Sequence, residues 1–133
     1  MNDLLEVRNL RIRFRTKGTL KALIDRDENP YIDAVCGVSL SIQKGETFAL
    51  VGESGAGKTP LARPVIGLVN PTSGSIRYKG EPLLGLGEKA FKPLRREIAM
   101  MFQDPVGCLS PRLTVRSIIT EPYRIHKVPD IDV

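Results

Sequence analysis

Thr47-Phe48-Ala49-Leu50-Val51-Gly52-Glu53-Ser54-Gly55-Ala56-Gly57-Lys58-Thr59 decides how the rest of the chain is read. A short apolar run, Phe48 to Val51, stops at a glycine-rich loop closed by Lys-Thr. The residues Gly52, Glu53, Ser54, Gly55, Ala56, Gly57, Lys58 and Thr59 fit G-x-x-x-x-G-K-[ST], the phosphate-binding loop that joins a strand to a helix. The spacing has a physical reason. Glycines allow backbone conformations closed to residues with a β-carbon, so successive N–H groups can turn inward around an anion. A helix starting at the end of the loop adds partial positive charge at the same place. Lys58 is then expected at the β- and γ-phosphate oxygens and the Thr59 hydroxyl at a Mg²⁺ ion. The plainer alternative is a glycine-rich hairpin turn between two strands. The strand-like run before the loop and the Lys-Thr after it favour phosphate.

Outward from this loop the chain alternates. Val7, then Leu10, Ile12 and Phe14, fall on one side of an N-terminal segment, and Arg11, Arg13 and Arg15 on the other, the period-two pattern of a half-buried strand. The arginine row reads as a solvated sheet face and not as a nucleic-acid face, because no aromatic residues interleave with it to stack bases. Residues 16–30 are polar and read as a loop or long hairpin connection. Ala34 to Ile42 alternates again, and Lys44-Gly45-Glu46 turns the chain into Phe48–Val51, expected as a buried central strand. A mixed sheet beside an α/β core follows. After the loop, Leu61–Val69 has the apolar density of a helix stopped by Asn70-Pro71. Ser75–Tyr78 reads as a strand ending at Lys79-Gly80. Glu88–Arg96 is a short helix interrupted by Pro93, and Ile98–Phe102 a second apolar strand. Thr114–Glu121 is a helix capped by Thr114 and ended by Pro122.

The 133 residues suffice for one domain with a core. A net charge of +5 suits a polyanionic ligand or a basic surface patch. No apolar run approaches a membrane span, and the N-terminus lacks the apolar core of a signal peptide. Cys36 and Cys108 have no Cys or His at metal-ligand spacing and read as free thiols; His126 has no assigned role.

The phosphate loop, Pro71-Thr72-Ser73-Gly74-Ser75-Ile76 and Met101-Phe102-Gln103-Asp104-Pro105 together resemble the ATP-binding subunits of ABC transporters. The stretch from Phe102 to Pro122, with Leu109-Ser110-Pro111-Arg112, Thr114-Val115 and Glu121-Pro122, is similar to the dipeptide, oligopeptide and glutathione importer branch. The resemblance implies an α/β fold, the N-terminal part of an ABC-type P-loop nucleotide-binding domain, with an antiparallel β subdomain and an incomplete P-loop core. Residues 1–133 are then one truncated nucleotide-binding domain. ATP and Mg²⁺ are the implied cofactors. Gln103 matches the glutamine that in the family contacts Mg²⁺ and the attacking water and senses the membrane partner. An aromatic upstream of the loop stacks on adenine in the family; Tyr31 is the candidate, and a tyrosine lying against the sheet is an equal alternative. The implied partners are permease subunits and a second ATP-binding subunit, alike or different. No nucleic acid is implied, and the membrane is met only through the permease, at the cytoplasmic face of the inner membrane.

Three departures bear on activity. Pro60 stands where the family has Ser or Thr, removing an N–H and a hydroxyl beside the phosphates. Pro64 stands where the family has an apolar helix former, deleting a bond to the Pro60 carbonyl. Third, no apolar run ending in Asp-Glu follows Pro122, and Leu-Ser-Gly-Gly-Gln does not occur. The catalytic carboxylates and signature motif are therefore expected outside these residues, so hydrolysis by this stretch alone is not expected. The leading expectation is the ATP-binding component of a peptide importer. The alternatives are a non-catalytic nucleotide-binding remnant and an ABC-type ATPase of a soluble complex, such as one for phosphonate breakdown. A small-molecule P-loop kinase is disfavoured, because the Gln103 segment has no place in one.

Overall fold

The computed structural model describes residues 3–15 and 31–129. The connection expected at 16–30 lies outside the described residues. The chain divides into two compact units, Met1–Phe91 and Lys92–Val133.

In the first unit, β1 (Asp3–Arg15), β2 (Tyr31–Gln43), β3 (Ser73–Tyr78) and β4 (Glu81–Pro82) form one sheet in the order β2-β1-β3-β4. Every pairing is antiparallel, so the mixed sheet expected from the sequence gives way to an antiparallel one. One face is the core. Val7, Leu10, Ile12, Val35 and Ile76 are buried on it. The step from Val7 to Leu10 breaks strict alternation, and the backbone explains why. Val7 pairs with Leu40 and Leu10 with Val38, so β1 spends three residues where β2 spends two. The same extra residue appears against β3, where Arg8 pairs with Ser75 and Arg11 with Ser73. This is a β-bulge at Arg8-Asn9. Asn9 takes a positive φ of 46°, and its N–H donates to Ser39 Oγ at 2.8 Å. Gly74 lies against the bulge. A β-carbon there would sit 2.6 Å from the Asn9 carbonyl oxygen and 2.7 Å from that of Arg8. The expected turn at Lys79-Gly80 is present: both residues have positive φ, the mark of a tight two-residue hairpin between the paired Tyr78 and Glu81.

Besides the shift that leaves Gly37 without a partner between Val38 and Cys36, a bulge lies near the start of β2. Ile12 pairs with Val35 and Arg13 with Asp33, which leaves Ala34 without a partner residue on β1. The opposite face of the sheet is solvated. Arg11, Arg13 and Arg15 are exposed on it. Arg13 forms an ion pair with Asp33, whose hydrogen bond first and charge second raise the guanidinium above its ordinary pKa.

Phe48–Val51 is not a strand. It runs as irregular backbone, with Phe48 and Leu50 more than two-fifths exposed and Val51 91% exposed. A strand needs neighbours for its N–H and C=O groups, and no described strand pairs with this segment. The helix after the loop is also shorter than expected. α1 (Lys58–Ala62) lasts five residues and becomes a 3₁₀ turn over Arg63–Ile66. Pro64 has no N–H to donate to the Pro60 carbonyl, so the α-helical ladder stops where that bond would form. Gly67, with φ 70°, closes the turn: its N–H donates to Pro64 O at 3.1 Å, and the Leu68 N–H donates to Arg63 O at 3.1 Å. That paired ending is a Schellman cap. A β-carbon on Gly67 would lie 2.9 Å from the buried Phe91 ring, so ring and cap are fitted to each other. Phe91 ends α2 (Glu88–Phe91), the short helix foreseen before Pro93.

In the second unit, a 3₁₀ turn covers Leu94–Arg96. Ile98–Phe102, expected as a strand, is irregular, again with no described strand to pair it. α3 (Val115–Ile125) starts as expected, with the Thr114 side chain accepting from the Ser117 N–H at 3.2 Å. It does not end at Pro122. That residue costs one bond, to the Ile118 carbonyl, and the helix runs one further turn before Lys127, at φ 50°, caps it. Among the described residues no helix is long and apolar enough to cross a membrane.

Candidate functional site

The glycine-rich loop owes its shape to two residues in the left-handed region, Gly55 at φ 85° and Gly57 at φ 84°. Gly57 is also the N-cap of α1, and its carbonyl accepts the first helical bond from the Leu61 N–H at 3.0 Å. Only glycine fits here. The space for a β-carbon on Gly57 is filled by the Ala34 carbonyl oxygen, with Val35 Cγ2 at 3.7 Å. Ala34 is the bulged residue of β2. The carbonyl of this bulged residue faces the loop, and the loop answers with a residue that has no side chain.

Within the loop, the Ala56 N–H donates to Glu53 O at 3.2 Å, tightening the turn through Ser54 and Gly55. Lys58 Nζ folds back and donates to the carbonyl oxygens of Gly52 and Glu53, each at 2.6 Å. The ammonium is thereby held against the start of the loop, its charge partly solvated by backbone. Thr59 is exposed. Alternating left-handed glycines, a lysine on a short tether and a hydroxyl in the first helical turn make a donor set suited to a polyphosphate and its metal. Pro60 is the third helical residue, where its missing N–H costs the helix nothing but leaves one donor fewer for an anion.

Behind the loop lies a cavity of about 270 Å³ lined by Ala34, Val35, Val38, Leu50, Gly57 and Leu61 among others. Its mainly apolar wall offers a phosphate little.

Tyr31 and Phe14 stand at the same end of the sheet. Tyr31 is 48% exposed and pairs with Arg15, on the face that carries Arg13 and Asp33. Phe14 is 37% exposed and pairs with Ile32, two residues from Ile12 and so on the face that Val35 shares with the loop. The Ala34 bulge sets this division: without it Phe14 would oppose Asp33. Sequence reading missed Phe14, although its place in the apolar alternation was the signal.

Gln103 belongs to the second unit and is exposed. It precedes a turn built by Asp104, whose Oδ1 accepts from the Gly107 N–H at 2.8 Å while its carbonyl accepts from Cys108. Asp, Pro and Gly at the first, second and fourth positions are what such a turn favours. Among the described residues no group of three or more His, Cys, Asp or Glu side chains could hold a metal ion.

The comparisons with known proteins agree with this geometry. The family model described as "ABC transporter" matches residues 35–130. The chain is 44% identical over 125 residues to the putative oligopeptide transport ATP-binding protein YkfD of Bacillus subtilis (strain 168), covering 94% of this chain and 35% of that protein. It is 51% identical over 87 residues to the nickel import ATP-binding protein NikE of Shigella dysenteriae serotype 1 (strain Sd197), covering 65% of this chain and 32% of that protein. Among solved structures it resembles a dimeric post-hydrolysis state of the ATP-binding cassette MJ0796 bound to ADP and Pi. There the TM-score is 0.76 at 25% identity, over 97% of this chain and 50% of that one. The chain spans about a third of the length of these curated relatives. With the loop, its flanking sheet and nearly the whole chain in agreement, this protein belongs to the ABC transporter family of ATP-binding subunits.

Proposed function

We propose that this chain is the nucleotide-binding part of an ABC importer subunit, one that serves peptides and couples MgATP binding and hydrolysis to transport. One observation carries the reading: Lys58 and the left-handed Gly55 and Gly57 form a polyphosphate cradle on a sheet shaped to receive it. On this reading Lys58 exchanges the Gly52 and Glu53 carbonyls for β- and γ-phosphate oxygens. The N–H groups from Gly52 through Thr59 would hold the phosphates and the Thr59 hydroxyl would hold Mg²⁺, whose charge would neutralise the polyphosphate; the Gln103 amide is the further oxygen donor proposed for the metal. An aromatic ring at the Arg15–Tyr31 end of β1 and β2 stacks on the base. Phe14 is the better placed for this on the loop's face, with Tyr31 beside it. Peptide is favoured over nickel because the oligopeptide relative aligns along nearly the whole chain and the nickel relative along two-thirds.

The partners on this reading are a membrane permease and a second ATP-binding subunit, and the chain sits at the cytoplasmic face of the inner membrane. Titration of the chain with a fluorescent ATP analogue tests the core of the proposal. Binding in the presence of Mg²⁺, lost at least tenfold in Lys58→Ala, is expected; no binding at millimolar nucleotide would overturn it. Co-purification with a permease separates an importer from a soluble complex. A second reading, binding without turnover, draws support from Pro60 and Pro64, and a chain that binds ATP but releases no phosphate within its own transporter complex would establish it.

A further inference from the structure

The solvated face of the sheet carries an uneven charge. Between Glu6 and Arg15 it presents Arg8, Arg11, Arg13 and Arg15 from β1 and Arg77 from β3, since Glu6 pairs with Arg77 while the neighbouring Val7 and Ile76 turn to the core. The bulge at Asn9 keeps Arg8 and the later arginines on one side, because it shifts the parity of the strand by one residue. Glu6 and Asp33 are the carboxylates among them. Arg8 is paired with Glu6 and Arg13 with Asp33. Arg11, Arg15 and Arg77 are exposed and have no ion pair among the described residues. Three guanidinium groups without an ion pair among the described residues therefore stand on one face, in a chain whose whole net charge is +5.

What such a face can bind follows from its shape. Neither described cavity is lined by Arg11, Arg15 or Arg77: one lies between β2 and the phosphate loop, and another, lined by Ser41 and Gln43 beside Glu6, is formed by the turn into Glu46. A folded acidic protein would need a groove or a protruding anchor to fix its register. Single-stranded nucleic acid would need stacking rings, and among the described residues Tyr31 is the lone aromatic on this face. A fluid anionic lipid surface needs neither, because its headgroups move to meet fixed cations. We infer that the arginine face of the β1–β2–β3 sheet is a docking surface for anionic phospholipid headgroups, a direct membrane contact beyond any made through a permease. The face lies on the side of the sheet away from the phosphate loop, so lipid binding and nucleotide binding can fail independently.

The test is co-sedimentation of the chain with vesicles of neutral phosphatidylcholine and with vesicles containing about one-third phosphatidylglycerol, at about 0.1 M salt. Each cation near such a surface is worth about 1 kcal/mol, so three should favour the anionic vesicles about 100-fold, with the preference falling as salt is raised. The triple change Arg11→Gln, Arg15→Gln, Arg77→Gln should bring partitioning down to the neutral level while ATP binding persists. The corresponding lysine triple, which keeps charge but not the planar fork, should retain most of the preference. Equal partitioning of the parent chain to both vesicles overturns the inference, as does an undiminished preference in the glutamine triple. Capture by soluble polyglutamate or oligo(U) with no vesicle preference also overturns it, reassigning the face to a protein or a nucleic acid.

Discussion

The carbonyl oxygen of Ala34 occupies the space that a β-carbon on Gly57 would need. Strand and loop meet there backbone to backbone, and the meeting depends on two independent features of the sequence, a bulge and a glycine. Gly57→Ala therefore faces a collision as well as a strained φ of 84°. Gly55 is the built-in control, because its φ is 85° but a β-carbon there meets nothing within 4 Å. Gly55→Ala should cost about 1–2 kcal/mol, the penalty for an ordinary residue in the left-handed region. Gly57→Ala should cost clearly more and abolish ATP binding. Denaturant unfolding of the two variants side by side checks this; equal losses would mean that the contact with Ala34 does not matter.

The base-stacking ring can be identified by the same kind of pairwise comparison. Phe14 shares the Val35 face and Tyr31 the Arg13 face, so Phe14→Ala should weaken ATP binding by about 1–3 kcal/mol, and Tyr31→Ala by much less. Neither should change the affinity for inorganic tripolyphosphate, which has no base to stack. Competition titrations with ATP and tripolyphosphate read both effects. The opposite ranking would return the role to Tyr31.

How much of this was legible beforehand depended on whether the information was local. The phosphate loop, the Thr114 cap, the Lys79-Gly80 turn and the alternation of β1 are each written in a few adjacent residues, and each formed. Phe48–Val51 and Ile98–Phe102 were also locally strand-like, with apolar side chains in short runs, yet neither is a strand. Strand formation is a pairing property, and local composition is silent about whether a partner is present. The Ala34 bulge was invisible for a related reason, since register belongs to two strands at once. The bulge at Asn9 left a trace in the slip from Val7 to Leu10, two core positions separated by three residues instead of two.

Pro64 reads in the sequence as a helix breaker, and the helix does break there, with α1 giving way to a 3₁₀ turn after Ala62. The consequence for binding is separable from the consequence for folding. Pro60→Thr restores an N–H and a hydroxyl at the first helical turn and should tighten ATP by about 1.5–3 kcal/mol, the worth of a hydrogen bond to a charged group. Pro64→Leu should extend amide protection into residues 63–66, read by hydrogen exchange, with a smaller effect on affinity. Its gain in helix bonding is offset by crowding, because Pro64 is already fully buried. An unchanged ATP affinity in Pro60→Thr would remove Pro60 as a determinant of nucleotide binding.

Gly74 gives the most severe test of the sheet itself. Its φ of 100° is closed to residues with a side chain, and a β-carbon would press to within 2.6–2.7 Å of two carbonyl oxygens and the Leu10 α-carbon. None of these can move without disturbing the bulge that keeps Val7 and Leu10 together in the core. Gly74→Ala should therefore cost more than about 2 kcal/mol, the collision adding to the left-handed strain. Asn9→Gly supplies the contrast. It relieves an ordinary residue of a φ of 46°, keeps the N–H bond to Ser39 Oγ and gives up only the long, exposed 3.5 Å bond that Ser39 Oγ donates to Asn9 Oδ1, so it should be close to neutral. If Gly74→Ala and Asn9→Gly unfold at the same denaturant concentration as the parent chain, β1 tolerates a different register and the bulge is not what fixes it. If only Gly74→Ala is destabilised, the close approach of β3 to the bulge is what holds the arginines on one face and the apolar residues on the other.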